Sequence, residues 1–161
     1  MSIMQGGVAE VKLTRGLVTI IDAEDFELVS QWKWCAQRSG NTDYVHRRHG
    51  KTTVKLHRFL LDAPAGMHVD HMNGNGLDNR RENLRLCTQI ENRRNSQKQA
   101  GSISDFKGVS KQKGRDKAWT ASLYVGKKRY MQYFFTELEA AIAYDGMAKE
   151  HFGEFARLNF P

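Results

Sequence analysis

The sequence predicts an α+β fold. A β-hairpin-rich N-terminal part leads into a strand, long loop and capped helix at residues 67–95, and a small three-stranded antiparallel sheet packed on one helix follows. Three observations carry this prediction. Short β-branched and aromatic runs bounded by Gly, Asn and Ser turns recur through residues 8–56 and again through 106–135. Thr88 and Glu91 have the spacing of a capping box, and Thr136 reads as the N-cap of a second helix with Glu137 and Glu139 in its first turn; both mark helix starts. The small polar stretch Ser96–Ser104, SQKQAGSIS, separates the two halves.

In chain order, VAEVKLTRG and LVTIIDAE are β-type runs joined at Thr-Arg-Gly, which predicts a hairpin. Asp22 to Gln31 reads as a short helical turn, its acids placed early where the helix dipole favours them. WKWCAQ is extended, with Trp32 and Trp34 on one face and assigned to core packing. After the SGNTD turn, YVHRRH and TTVKLHRFLL run as β-type segments across a turn at Gly50. His46 and His49, beside Arg47 and Arg48, read as a solvated face, with phosphate contact as the competing reading. His57 and Arg58 lead straight towards residues 67–95: His57 is a candidate for orienting a site or touching substrate, with a satisfied structural histidine as the competing reading. Pro64 and Gly66 end this element.

Composition narrows the function. The net charge of +7 suits a polyanion partner. Residues 101–135 hold eight Lys and Arg against two acids, so the positive charge gathers in one short stretch. There is no 18-residue apolar run, which argues against a membrane span. MSIMQGGVAEVKL does not read as a secretory signal. Cys35 and Cys87 stand singly, with no C-x-x-C pair, and are expected to be buried thiols.

The chemistry-bearing residues gather in MHVDHMNGNGLDNRRENLRLCTQIENRRN. Cutting a phosphodiester needs a base for water, a positive centre for the developing charge, and fixed positions for both. His71 is the candidate base, because a neutral imidazole is available near pH 7. Asp70 offers a hard carboxylate oxygen and Asn92 an amide oxygen, a donor set that suits Mg²⁺ or Mn²⁺ better than zinc. Neighbouring strand residues face opposite ways, so Asp70 and His71 can serve together only at a strand end. Asn83 is placed to tie the long loop to backbone near His71. Arg80, Arg81, Arg85, Arg93 and Arg94 are candidate phosphate contacts. The plainer reading makes NGNGLDN an Asx-rich turn and His71 a structural histidine.

At these residues, HRFLLDAPAGMHVDHMNGNGLDNRRENLRLCTQIENRRN resembles the HNH homing endonucleases, in particular the phage and intron-borne branch without zinc cysteines. The VDH, NG, LDNRRENLR and T-x-x-EN-x-x-N elements fall in order over residues 54–96. The resemblance implies a ββα-metal core, His71 as general base and Asp70 as metal ligand. It further implies Asn83 as the residue that steadies the site and Asn92 as the last ligand of a single Mg²⁺ or Mn²⁺, with Asn95 one turn on as the competing choice. It also implies hydrolysis of duplex DNA to a 5′-phosphate and a 3′-hydroxyl. A monomer carrying one site would nick one strand, and a double-strand break would need a dimer or sequential nicking. A phage or mobile-element origin follows from the resemblance, with a cytoplasmic, nucleoid-associated location in the infected or bacterial cell. A non-catalytic DNA-binding regulator of the same shape is the rival reading, and RNA binding a third.

Beyond the linker, FKGVSKQ, WTASLYV and RYMQYFF read as three strands. TELEAAIAYDGMAKEHFG has helical apolar spacing through Leu138, Ala141, Ile142 and Ala148, with Thr136 as N-cap. Lys107, Lys111, Lys113, Arg115, Lys127, Lys128 and Arg129 fall on the strands and turns, whereas the helix is acidic. That segregation predicts a charged sheet face of the kind that enters the DNA major groove. GVS, W-x-A, F-T-x-x-EAA-x-AYD-x-A and FGEFARLNF resemble the AP2 DNA-binding domain over residues 106–161. The implied DNA contacts are Lys107, Ser110, Gln112, Ser122, Tyr124 and Arg129, with Lys128 beside them; in the first half Arg58, Arg80, Arg85 and Arg93 are the expected ones. Tyr144, Asp145, Asn159 and Phe160 read as fold-holding. The expected organisation is 1–96, a linker at 97–105, and 106–161.

Overall fold

The computed structural model describes every residue except Met1, Ser2, Gln5, Gly6, Gln99, Ala100, Arg115 and Lys117, and only the backbone of Ile3 and Met4. Arg115, expected in the basic stretch, therefore lies outside the described residues. The architecture is α+β, and contacts divide the chain into two compact units, Met1–Asn92 and Arg93–Pro161.

The first unit opens with an antiparallel sheet of β1 (Ile3–Met4), β2 (Val8–Lys12) and β3 (Val18–Asp22). The predicted hairpin turn is a 3-10 turn at Thr14–Gly16, with Arg15 at φ 66°. A second turn, Ala23–Asp25, feeds α1 (Phe26–Ser30). Next comes a meander of β4 (Cys35–Ser39), β5 (Thr42–His49) and β6 (Thr52–Lys55), in the order β4-β5-β6. Then α2 (Leu56–Leu60) leads to β7 (His68–His71), which pairs antiparallel with β8 (Leu84–Cys87). From β8 the chain enters α3 (Gln89–Arg94) through the expected capping box: Thr88 N–H donates to Glu91 Oε2 at 2.7 Å and Glu91 N–H to Thr88 Oγ1 at 3.3 Å. β7, β8 and α3 are the ββα element.

Ala9, Ile21, Val29, Trp34, Val45, Leu56, Leu60, Val69 and Leu84 form one apolar core. Each aliphatic side chain buried this fully contributes about 1.5–3 kcal/mol. The core welds both sheets to α1, α2 and the β7–β8 hairpin, so the hairpin rests on a rigid base.

Three expectations are corrected here. LHRFLL is not strand: the chain turns helical at Leu56, which puts Leu56, His57 and Leu60 on one buried face. Trp32 does not join Trp34 in the core. Trp34 is 3% exposed with Nε1–H bonded to the Val29 carbonyl, whereas Trp32 is 41% exposed and covers Arg47, whose Cζ lies 4.0 Å from the Trp32 ring centre. Arg47 is accordingly buried rather than solvated, because alternation along β5 turns it to the same side as Val45. Cys35 and Cys87 are free thiols, Cys35 half-buried and Cys87 buried.

In the second unit β9 (Val109–Lys111), β10 (Trp119–Val125) and β11 (Lys128–Phe134) form an antiparallel sheet with β10 central. The sheet packs on α4 (Glu137–Phe152), which opens with the complete Thr136–Glu139 capping box. The apolar face of α4 differs from the one the spacing predicts. Ala140, Ala141, Tyr144, Met147, Ala148 and Phe152 face the sheet, while Leu138 and Ile142 are 54% and 59% exposed. Small alanines let the helix approach the strands closely, and Leu138 and Ile142 stay outside. Asp145 accepts the backbone N–H groups of Asn159 and Phe160, and the Asn159 amide bonds Lys107 backbone on both sides. Gly108 has φ 72°, and a Cβ there would overlap the Tyr144 ring. These are fold-holding contacts, as expected of Tyr144, Asp145 and Asn159. Ser104 is fully buried, its hydroxyl donating to Glu137, which fastens this end of the predicted linker to the unit.

Candidate active site

Asp70 and His71 are the last two residues of β7, where the strand ends and the chain enters the long loop. Both are 5% exposed. The β7–β8 register sets Asp70 opposite Arg85 and His71 opposite Leu84. Arg85 closes on its partner, Nη2 and Nε donating to Asp70 Oδ2 at 2.8 and 3.0 Å.

The loop between the strands is held by asparagine side chains. Asn73 Oδ1 accepts from Asn75 N–H at 2.8 Å and Asn75 Oδ1 from Leu77 N–H at 3.1 Å, two successive Asx turns. Asn83 ties the loop's two ends together: its Oδ1 accepts from Asn73 N–H at 3.0 Å and its Nδ2 donates to the Asp78 carbonyl at 2.8 Å. Gly76 packs against β5, where a Cβ would strike the Asp43 carbonyl and the Tyr44 ring. Along the edge of β3, Ile20 N–H donates to the Leu77 carbonyl and Asn79 N–H to the Ile20 carbonyl. The Asx-rich turn and the ordered site are therefore one object.

Asn79 is the residue that sequence reasoning missed. It lies inside LDNRREN and is fully buried. Its Nδ2 donates to Thr19 Oγ1 at 2.9 Å and to the Gly76 carbonyl at 3.2 Å. Thr19 Oγ1 donates onward to the Leu77 carbonyl, so it can only accept from Asn79. The amide orientation is thereby fixed, and Oδ1 faces His71 Nε2 at 3.3 Å. Nε2 must then carry the proton, which makes Nδ1 the nitrogen with the lone pair. No local spacing rule pairs position 79 with position 71; the link runs through β3, nearly sixty residues away.

Burial lowers the His71 pKa, while the Asn79 hydrogen bond and the charges of Asp70 and Asp78 oppose the shift. Tyr44 and His57 wall the same spot: their ring centres lie 5.7 and 5.0 Å from that of His71, with His57 edge-on at 83°. Burial, then the Asp70 charge, raises the Tyr44 hydroxyl pKa. Asn92 is half-buried in α3, its N–H bonded to the Thr88 carbonyl at 3.0 Å. Burial, then the Asp70 charge, pushes the Cys87 thiol up to about 11, and the Asn92 backbone hydrogen-bonds it. Asp70 and Asn92 supply oxygen donors of the kind Mg²⁺ and Mn²⁺ take. Among the described residues no three His, Cys, Asp or Glu side chains gather in a group able to hold a metal.

The expected DNA-contact residues fall into two groups. Arg58 clamps the 63–67 turn, donating to the carbonyls of Ala63, Pro64 and Met67. Arg80 forks onto Asp78 and holds that carboxyl below the usual range, and Arg81 forks onto Asp25. Arg85 is engaged by Asp70. Arg93 is exposed on α3. In the second unit Ser122 and Tyr124 alternate with the buried Ala121 and Leu123, and therefore point away from α4. Arg129 stands opposite Tyr124 and donates to Ser122 Oγ at 3.2 Å; its Cζ lies 5.9 Å from the Tyr124 ring. Ser110 shares a 2.7 Å hydrogen bond with Thr120, Gln112 is half-buried, and Lys128 Nζ lies 4.7 Å from the Tyr130 ring. Lys107 Nζ donates to the Arg94 carbonyl.

Residues 62–94, which carry this loop and its flanking strands, match the family model for HNH endonucleases. Over 152 residues the chain is 33% identical to a protein of Acanthamoeba polyphaga mimivirus that bears the name HNH endonuclease L560, covering 90% of this chain and 76% of that one. It is 29% identical over 92 residues to YosQ, an SPbeta prophage-derived protein of Bacillus subtilis (strain 168) whose name places it with the HNH homing endonucleases. That match covers 54% of this chain and about half, 46%, of YosQ. No solved structure matches. The chain belongs to the HNH endonuclease family. Among the described residues no helix is long and apolar enough to cross a membrane.

Proposed function

We propose that the protein is a divalent-metal-dependent endonuclease that hydrolyses one phosphodiester bond in duplex DNA, as a site-specific nicking or homing enzyme. The observation that carries this reading is the His71–Asn79 contact, which assigns the lone pair of the candidate base to Nδ1. His71 takes a proton from water at Nδ1, and Asn79 Oδ1 steadies the imidazolium that forms. The water oxygen bonds to phosphorus, the P–O3′ bond breaks, the 3′ oxygen takes up a proton from solvent, and His71 returns its own proton to solvent. The products are a 5′-phosphate and a 3′-hydroxyl. Asn83 holds the loop closed so that His71 keeps its place. Asp70 and Asn92 would hold one Mg²⁺ or Mn²⁺, which when bound neutralises charge on the phosphate and departing oxygen.

In the same reading the second unit is an AP2-type DNA-binding module. Its contact face is formed by Lys107, Ser110, Gln112, Ser122, Tyr124, Lys128 and Arg129; the exposed Tyr124–Arg129 pair supports it. Arg93 adds a phosphate contact, while Arg58, Arg80 and Arg85 serve DNA by bracing the turn, loop and carboxylate that meet it. Functionally the chain divides at 97–105, with residues 1–96 cutting and residues 106–161 addressing. The protein acts as a monomer on DNA, in the cytoplasm of an infected or bacterial cell. Cleavage mapping on the DNA flanking the protein's own gene tests this. A single strand cut at one position, with a 5′-phosphate, supports it; tight binding without any cut favours a non-catalytic regulator.

A further inference from the structure

His57 lies outside residues 62–94, the stretch the family model matches, yet its ring is edge-on to that of His71 with centres 5.0 Å apart. It sits in the first turn of α2, is 5% exposed, and its ring lies 5.8 Å from that of Tyr44, which closes a triangle of rings with His71. Its Nδ1 is buried with no hydrogen-bond partner. An N–H stranded there would cost more than an unpaired lone pair, because orphaned buried donors are tolerated far less than under-used acceptors. The ring proton therefore belongs on Nε2. Burial, then the neighbouring His71, Lys55 and Arg58 charges, lower the His57 pKa to about 3, so the ring is neutral in any working buffer. Such an imidazole is too weak a base to activate water and too reluctant a cation to serve as a point charge. What remains to it is hydrogen-bond donation.

The two rings thus carry the same Nε2–H tautomer but do different work, His71 through the lone pair on its Nδ1 and His57 through the proton on its Nε2. With ring centres 5.0 Å apart, a phosphate attacked by water held on His71 would bring a non-bridging oxygen within reach of the adjoining ring. We infer that His57 is a substrate-contacting catalytic residue, donating a hydrogen bond from Nε2 to a non-bridging oxygen of the scissile phosphate as its charge grows. This rests on the nuclease reading above and extends it to a residue beyond the matched stretch.

Three proteins, wild type, His57→Phe and His57→Gln, test the inference in single-turnover cleavage with Mg²⁺. Phenylalanine keeps the edge-on packing and removes the donor, whereas glutamine restores an N–H at similar reach. The expected result is a fall of about 10²–10³ in kcat for His57→Phe with KM unchanged, the loss typical of one missing donor to a developing oxyanion. Glutamine should recover most of it. A single phosphorothioate diastereomer at the cut site should slow wild type, and slow His57→Phe no further. If His57→Phe cuts like wild type, or the thio effect is the same in both, the inference is overturned. Should His57→Phe not fold, ring ¹⁵N spectra of the wild-type protein decide: an Nε2–H tautomer supports the inference and Nδ1–H overturns it. A wild type that cuts no DNA, with His71→Ala equally silent, brings down the nuclease reading itself and this inference with it. A wild type that cuts while His57 proves indifferent brings down only the inference.

Discussion

Arg85 stands directly across the β7–β8 hairpin from Asp70, and two of its guanidinium nitrogens reach the same carboxylate oxygen, at 2.8 and 3.0 Å. Both side chains are nearly sealed, 12% and 6% exposed. A pair this buried gains its importance from what happens when half of it is removed.

Arg85→Ala leaves a buried carboxylate without its counter-ion. We expect about 3–5 kcal/mol of destabilisation, the usual cost of breaking one side of a buried pair. Urea unfolding of the two proteins at neutral pH measures it. Arg85→Ala as stable as wild type would mean that Asp70 finds another partner or water.

Asn79→Ala removes the acceptor facing His71 Nε2 and the Nδ2 donor to Thr19 Oγ1 and the Gly76 carbonyl. Activity should drop about 10–100-fold, as when a residue orienting a functional histidine is lost. Affinity for uncut duplex should not change. Cleavage rates beside filter-binding constants separate the two effects.

Gly108→Ala puts a methyl group into the Tyr144 ring at a backbone φ of 72°. Strain and overpacking act together here, and we expect about 2–4 kcal/mol of lost stability. Thermal melting with tryptophan fluorescence, which Trp119 reports for this unit, is the measurement. Tyr144→Ala, which opens space at Gly108, should make the second substitution cheaper.

His57 makes stability pH-dependent with a definite sign. Unfolded, it titrates near 6.5; folded, at about 3. Between these values the unfolded chain binds a proton that the folded chain refuses. Its contribution is complete above pH 6.5 and is lost as the pH falls towards 3, with a slope of at most about 1.4 kcal/mol per pH unit. Urea midpoints at pH 7 and pH 5 should differ in wild type and differ less in His57→Phe. A remainder is expected from His71, which burial shifts the same way.

Local chemistry made much of this fold legible. The Thr88–Glu91 box and the Thr136 N-cap mark their helices because the partners lie within one turn. The position of Asp70 and His71 at a strand end followed from the demand that both serve one site. Features that depend on distant segments were not legible. LHRFL carries strand-like neighbours yet coils, because its buried face completes a core built from residues 9 to 84. Leu138 and Ile142 have helical spacing but lose the inner face to alanines that permit closer packing. The arginines at 58, 80, 81 and 85 look alike in sequence, and only the folded chain shows which carbonyl or carboxylate each one holds. Asn79 stayed hidden for the same reason, since its partners are Thr19 and His71.

The central claim, that His71 is the base of a metal-dependent DNA nuclease, is tested most directly on supercoiled plasmid carrying the DNA that flanks the gene. Wild type and His71→Ala are compared with Mg²⁺, with Mn²⁺ and with chelator. The account predicts open circles from wild type only when metal is present, and a rate about 10²–10⁴-fold lower for His71→Ala, the contribution of a positioned general base. Equal rates for the two proteins, or DNA binding with no metal-dependent cut, would contradict it.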